Sequence, residues 1–309
     1  MSPLGQALAD YLRIRRALGF KLERAERLLA QFVAYLHDHN AEVATIADAL
    51  AWATSPAAAT PRWWAHRLST VRGFAAYLHT LDARAEVPPP GLLRRGPRRQ
   101  TPYLYSEADI TVLVHAASRL PRPLGAATYR TLIGLLAVTG MRVGEAIRLD
   151  RDDLDADHDG LLWVRDSKFG KSRLVPLHPT TVAALRAYLH VRDRLLPAPA
   201  SAALLLSTAG TRLGYNNVWR TFHRLVQQAG ITARSASCQP RIHDLRHSFA
   251  VRTMLDWYAD GADVQGLLPR LSTYLGHADP KHTYWYLQAA PELLALAAHR
   301  LDAYQAGRR

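Results

Sequence analysis

The chain has 309 residues, 49% of them hydrophobic and 21% charged, which excludes a disordered chain and leaves room for two domains that each bury a core. Its formal net charge of +13 points to a polyanion, nucleic acid first, because neutralising phosphates releases counterions; the plainer alternative is a solvated basic surface. The single cysteine, Cys238, excludes an internal disulfide and a cysteine zinc site and fits a reducing cytoplasm.

Residues 1 to 86 read as helices only. Leu8, Tyr11, Leu12, Arg15 and the run from Leu18 to Phe20 suit a first helix. Glu23 to Asp38 carries Leu28, Leu29, Phe32, Val33 and Leu36 on one apolar face. A third short helix is expected near Thr45 to Thr54, stopped by Pro56. Thr60-Pro61 is a helix start, with Thr as cap and Pro in the first turn. The helix that follows, to Leu81, mixes Trp63, Trp64, Phe74 and Tyr77 with Arg62, Arg67 and Arg72.

Residues 87–102 form a linker. Pro88-Pro89-Pro90 cannot continue a helix, and Arg94, Arg95, Arg98 and Arg99 follow at once. The first 100 residues carry 14 Lys/Arg against 8 Asp/Glu. A basic helical domain on a basic linker suggests a clamp on a duplex, with Arg62, Arg67, Arg72 and the four linker arginines as DNA contacts. A merely solubilising linker is the simpler account.

From residue 103 onward the pattern is helical with one β interruption. Helices are expected from Ser106 to Ala117, Thr128 to Thr139 (ended by Gly140), Val143 to Leu149 and Thr180 to Leu195. More follow at Asn217 to Ala229, His243 to Tyr258, Leu267 to Leu275, Lys281 to Tyr286 and Pro291 to Tyr304. Leu161 to Arg165 and Ser172 to Leu177 flank a Gly-containing turn and read as a β-hairpin. No internal repeat, no signal peptide and no apolar run of about 18 residues is found. No helical histidine pair with a carboxylate partner suggests a metal site, and no cofactor is expected.

Basic residues are lopsided: 35 arginines and four lysines, Lys21, Lys168, Lys171 and Lys281. Arginine is the default cation here, so a lysine is a candidate for chemistry that needs a removable proton. Two of the four sit in the hairpin turn. Breaking a phosphodiester without a metal needs charge neutralised on the non-bridging oxygens, an in-line nucleophile and a proton for the leaving oxygen. Arginine suits the first task, since its planar fork matches two phosphate oxygens. Arg142 follows a glycine that ends one helix and opens the next, where free amides add to an anion site. Arg246 lies three residues after His243, on the same helical face. Singly, each has a bland reading: Arg142 paired with Glu145, His243 as a helix-start histidine, His247 structural.

Taken in order, these segments resemble the tyrosine recombinase (integrase) family. Thr139-Gly-Met-Arg142-Val-Gly-Glu145 resembles its first arginine box, His243-Asp-Leu-Arg246-His247 its His-x-x-Arg box, and Leu275-Gly-His277 its third box. Tyr286 falls at the nucleophile's usual distance from that box, and the hairpin around Lys168 is similar to the family's lysine-bearing hairpin. The resemblance spans roughly 139 to 286. The helical region before it matches the family's core-binding domain only in composition and position.

The resemblance implies a mainly α fold with a small β-hairpin or sheet in the catalytic domain, arranged as a two-domain DNA clamp: core-binding domain 1–86, linker 87–102, catalytic domain 103–309. It implies that Tyr286 attacks the scissile phosphate and leaves a 3′-phosphotyrosyl link. Arg142 and Arg246 would hold the phosphate, Lys168 would protonate the leaving 5′-oxygen, His243 would assist proton transfer and His277 would donate a hydrogen bond. Tyr284 rivals Tyr286, and Lys171 rivals Lys168 but reads as a phosphate contact. No ATP or metal is needed, because the covalent ester conserves the bond energy. The implied partner is double-stranded DNA with specific sites, bound by a tetramer of chains that are monomers or weak oligomers when free, with or without partner recombinases, in the cytoplasm at the nucleoid. The runner-up readings are a type IB topoisomerase and an inactive DNA-binding accessory protein. Two departures stand out. The stretch Asp256 to Ser272 is longer than is usual in the family. No arm-type domain precedes the helical region, unlike phage integrases that bridge distant arm sites. The apolar stripe Leu293, Leu294, Leu296, Ala297, Ala298 and Leu301 suits either the chain's own core or a neighbouring protomer.

Overall fold

The computed structural model describes residues 2–94, 100–155, 160–165, 172–277, 279 and 283–284. It divides into two compact units, Met1–Arg99 and Gln100–Arg309.

The first unit holds four helices: α1 (Pro3–Ala17), α2 (Glu23–Asp38), α3 (Ile46–Thr54) and α4 (Pro61–Leu81). Hydroxyl caps start three of them. Ser2 and Thr60 each accept a backbone N–H, and Thr45 forms a reciprocal capping box with Asp48. The apolar stripes of the helices meet around Phe32, Leu29, Leu36, Leu68 and Phe74, with the Phe32 and Trp52 rings 5.3 Å apart. Leu18 to Phe20 do not extend the first helix. Gly19 adopts a left-handed φ of 85°, its N–H and that of Phe20 turn back to carbonyls of the last helical turn, and Leu18 is 67% exposed. A left-handed glycine stops a helix whatever the hydropathy beyond it.

In the second unit, α6 (Pro123–Thr139) runs through the core, with Leu132 and Ile133 fully buried. Packed around it are α5 (Glu107–Ser118), α8 (Pro179–Leu195) and α10 (Asp244–Ala259). The short α7 (Val143–Arg148), α9 (Tyr215–Gln228) and α11 (Val264–Leu275) complete the described helices. Ser106 caps α5 in a box with Asp109.

The predicted hairpin is β2 (Leu161–Val164) against β3 (Arg173–Pro176), antiparallel, with Trp163 opposite Leu174 and Val164 opposite Arg173. A third strand that the sequence did not announce, β1 (Leu154–Asp155), pairs with β2. Leu162, Val164 and Val175 face the core while Trp163 and Leu174 face out, the period-2 pattern of a half-covered sheet.

The stretch Asp256 to Ser272 is mostly helical. It finishes α10, turns through Gly261 (φ 75°) and enters α11. The side chain of Asp263 accepts the Gly266 N–H, so α11 begins at Val264, a turn before the predicted Leu267. Val251, Met254, Val264, Leu268 and Leu271 close that helix pair. The predicted helices over Lys281 to Tyr286 and Pro291 to Tyr304 lie largely outside the described residues, of which Thr283 and Tyr284 are helical.

Candidate active site

Three chain breaks converge on one spot. The first is the end of α6, where Gly140 caps the helix at φ 59°. A Cβ there would collide with the ring of Phe249, so only glycine lets α6 and α10 approach this closely. The second is the start of α10. The third is the end of α11, capped by Gly276 at φ 69°.

Helix C-termini leave carbonyls without intrahelical donors and carry the negative end of the helix dipole. Arginines meet them here. Arg246, 2% exposed, donates Nη1–H to the Gly140 carbonyl and Nη2–H to the Leu275 carbonyl, both at 2.8 Å. Arg142, the N-cap of α7, donates Nη2–H to the next carbonyl, Gly276, at 3.1 Å. Two guanidiniums are thus held on adjacent carbonyls, and His277 is the following residue. Its Nδ1 lies 2.8 Å from the buried Thr283 hydroxyl, which ties the third box to the segment that precedes Tyr286.

Glu145 organises the other side. Its carboxylate, 3% exposed, accepts the Arg142 backbone N–H and Nη1–H at 3.0 and 2.7 Å. It also accepts both arms of Arg173 at 2.8 and 3.3 Å. Burial opposes its charge, but the hydrogen bonds and charges of Arg173 and Arg142 prevail and hold its carboxyl at about 2. The simple Arg142–Glu145 pair is therefore present, inside the site rather than on an outer surface.

On α10, Asp244 is fully buried. It takes the Arg241 fork at 2.9 and 2.8 Å, while burial raises its pKa. The rings of His243 and His247 stand 5.2 Å apart and perpendicular. Enclosure, then the charges of Arg246, Arg142 and Arg241, push His243 down to about 4. His243 is nonetheless exposed to solvent, so the neighbouring charges are the more telling cause. Burial, then the neighbouring His243 and arginines, takes His247 to about 3.

Both imidazoles are neutral in the fold at neutral pH. The unfolded chain takes up those protons below pH about 6.5, and the folded chain does not until pH about 4 or 3. The unfolded state binds more protons throughout that window, so stability falls as pH falls. Urea unfolding at pH 7, 6 and 5 should show a steady loss, up to about 1.4 kcal/mol per pH unit from the buried His247 and less from the exposed His243, whose charge solvent screens, and His247→Gln should flatten it. Equal stability at pH 7 and 5 would contradict the neutral assignment.

Arg142, His243, Arg246 and His277 thus lie together. Lys168, Lys171 and Tyr286 fall outside the described residues, as do Arg95, Arg98 and Arg99. Of the other expected DNA contacts, Arg62 and Arg94 are exposed. Arg67 is a correction. It is 7% exposed, donates to the Trp52 carbonyl at 2.6 Å and lies 3.8 Å from the Trp52 ring centre, so its charge is spent inside the first unit. Arg72 donates to the Pro88 and Pro89 carbonyls at 2.6 and 3.0 Å, which fastens the proline run to α4. Sequence reading missed the role of Arg173. The available signal was β alternation, which places this charged residue on the same inward face as Val175. Among the described residues, no group of three His, Cys, Asp or Glu is arranged to hold a metal ion, and no helix is long and apolar enough to cross a membrane.

The mainly helical second unit with its small three-stranded sheet matches the fold of tyrosine recombinase catalytic domains. The phage integrase family model matches residues 105–292. Over 98% of both chains, this protein is 45% identical to y4rB of Sinorhizobium fredii, which carries an integrase/recombinase designation. It is 31% identical to the tyrosine recombinase XerD of Pseudomonas aeruginosa over 93% of both. Two solved structures share the fold at lower identity. The Tn1549 transposon integrase in complex with transposon right end DNA superposes with a TM-score of 0.64 at 16% identity, covering 97% of this chain and 98% of that one. A lambda integrase tetramer bound to a Holliday junction gives 0.56 at 18%, covering 92% and 76%. The chain belongs to the phage integrase family, the tyrosine recombinases.

Proposed function

We propose that this recombinase cuts and rejoins specific duplex DNA sites through Tyr286. The observation that carries the reading is the placement of Arg142 and Arg246 on neighbouring carbonyls, one residue from His277. A scissile phosphate held there has guanidinium charge on its non-bridging oxygens, where negative charge grows in the transition state. The Tyr286 oxygen bonds to phosphorus as the P–O5′ bond breaks. Lys168 gives its proton to the departing 5′-oxygen, and His277 donates to the phosphate. The neutral His243 is fit to accept or pass a proton. A bound phosphate offsets the guanidinium charges beside it and so raises its basicity at the moment it is needed. Rejoining is the reverse attack by a 5′-hydroxyl, without metal or ATP.

Double-stranded DNA is the partner, contacted both by a basic first domain (residues 1–86, joined by the 87–102 linker) and by the catalytic domain (103–309). Arg62, Arg94, Arg95, Arg98, Arg99 and Lys171 serve as phosphate contacts. The structures of the relatives on DNA support assembly of four chains on paired sites. The work is done at the nucleoid.

The test uses nicked duplexes cut from the DNA flanking this gene, with chelator and without ATP. A denaturation-resistant adduct at a 3′ end, and exchange of strands between two labelled duplexes, are the expected results. Relaxation of any supercoiled plasmid without exchange would instead support a type IB topoisomerase. Tight binding without an adduct would support an accessory protein.

A further inference from the structure

Arg173 reaches three parts of the site and is itself largely covered. Its Nε donates to the Tyr274 carbonyl at 2.8 Å, its Nη groups hold both oxygens of Glu145, and its side chain is 12% exposed. A Cβ on Gly276 would lie 2.8 Å from Arg173 Nη1, so the turn that carries His277 rests against this guanidinium. Arg142 keeps a more open side chain, 25% exposed.

Resting on the strand-cleavage reading above, we propose that Arg173 is a positioning residue that holds Arg142 and the 274–277 turn in register with the lysine-bearing hairpin. A carboxylate offers about four acceptor sites. Two of Glu145's are taken by Arg142, through its backbone N–H and one Nη, and two by Arg173. With the carboxylate filled, Arg142 gives it only one side-chain N–H, and its fork stays turned toward a phosphate. Without Arg173, Glu145 has two empty sites and draws Arg142 into a paired, two-bond clasp that competes with the phosphate. The Tyr274 carbonyl also loses its donor, which loosens the backbone leading to Leu275 and Gly276, the carbonyls that orient Arg246 and Arg142. Arg173 lies on β3, five residues after Lys168 in the sequence, so one side chain ties the β2–β3 pair to both.

The test measures single-turnover cleavage of the same nicked duplexes at saturating protein, beside their binding affinity. The variants are Arg173→Met, Arg173→Lys, Glu145→Gln and the Glu145→Gln/Arg173→Met double. Arg173→Met should bind within about twofold of wild type and cleave roughly a hundredfold more slowly, the scale of a misplacement of about 1 Å. Arg173→Lys, which keeps the charge and one of the bonds, should recover part of the rate, and it carries the test if the methionine variant fails to fold. The double variant should lose far less than the product of the single losses, because both act through one carboxylate. A purely structural role lowers the fraction of protein that reacts, not the rate of that fraction. Wild-type rate in Arg173→Met, equal losses of affinity and rate, or losses that multiply would each overturn the assignment while leaving strand cleavage standing. No adduct from wild-type protein on any duplex would overturn both.

Discussion

Tyr286→Phe protein is expected to bind nicked duplexes as tightly as wild type and to form no covalent adduct at all. The substitution removes one oxygen and keeps the ring, so packing and charge are preserved while the attacking atom is lost. The rival is Tyr284, which is 49% exposed and two residues away. Positions two apart on a helix face different directions. Its neighbour Thr283 is 1% exposed and meets His277, so the segment's inward face is fixed by Thr283. Tyr284 is exposed and lies off that face, whereas a residue three positions after Thr283 repeats it on a helix, the spacing that Tyr286 has in the sequence. Denaturing gels of wild type, Tyr286→Phe and Tyr284→Phe decide the matter. An adduct that survives in Tyr286→Phe and vanishes in Tyr284→Phe would move the nucleophile.

Much of the scaffold was readable because its signals are local. Thr45, Thr60 and Ser106 start helices where a hydroxyl precedes an apolar pattern, and Gly140 and Gly276 end them in the left-handed conformation. Three details escaped that reading, each for its own reason. Leu18 to Phe20 are apolar, but the left-handed Gly19 between them decides the backbone. β1 is two residues long and exists only because β2 is there to pair with it. The side chain of Asp263 accepts the Gly266 N–H and starts α11 three residues before the expected Leu267.

The site shows the same division. The order of the boxes identifies Arg142, His243, Arg246 and His277, because each lies in a short segment of fixed spacing. What holds them is long-range. Arg173 finds Glu145 28 residues away and Tyr274 101 residues away, and no window on the sequence contains all three. Arg67 erred in the opposite sense. On its helix it is one more basic residue near tryptophans, and only the packing of α3 against α4 brings the Trp52 ring under its guanidinium. Charge on a helix says which residues could meet a phosphate; burial says which are already spent.

Lys168→Ala protein is expected to cleave an ordinary phosphodiester about 10²- to 10⁴-fold more slowly, the usual worth of a general acid, and to recover most of that loss when sulfur replaces the bridging 5′-oxygen. An alkoxide is too basic to leave without a proton, whereas a thiolate, whose acid has a pKa of about 8.5, leaves without one. The rescue therefore separates proton donation from phosphate binding, since a lost phosphate contact would slow both substrates alike. Lysine fits the task because arginine cannot release its proton. Of the hairpin's arginines, Arg173 is committed to Glu145, and Arg165 to Asp153 at 2.6 Å. Lys171→Ala is the informative companion: it should weaken binding modestly, more so as salt is lowered, and should show no special gain from the sulfur substrate. Rescue of Lys171→Ala in place of Lys168→Ala would exchange the two roles. Rescue of neither would place the acid elsewhere, with His243 the next residue to test.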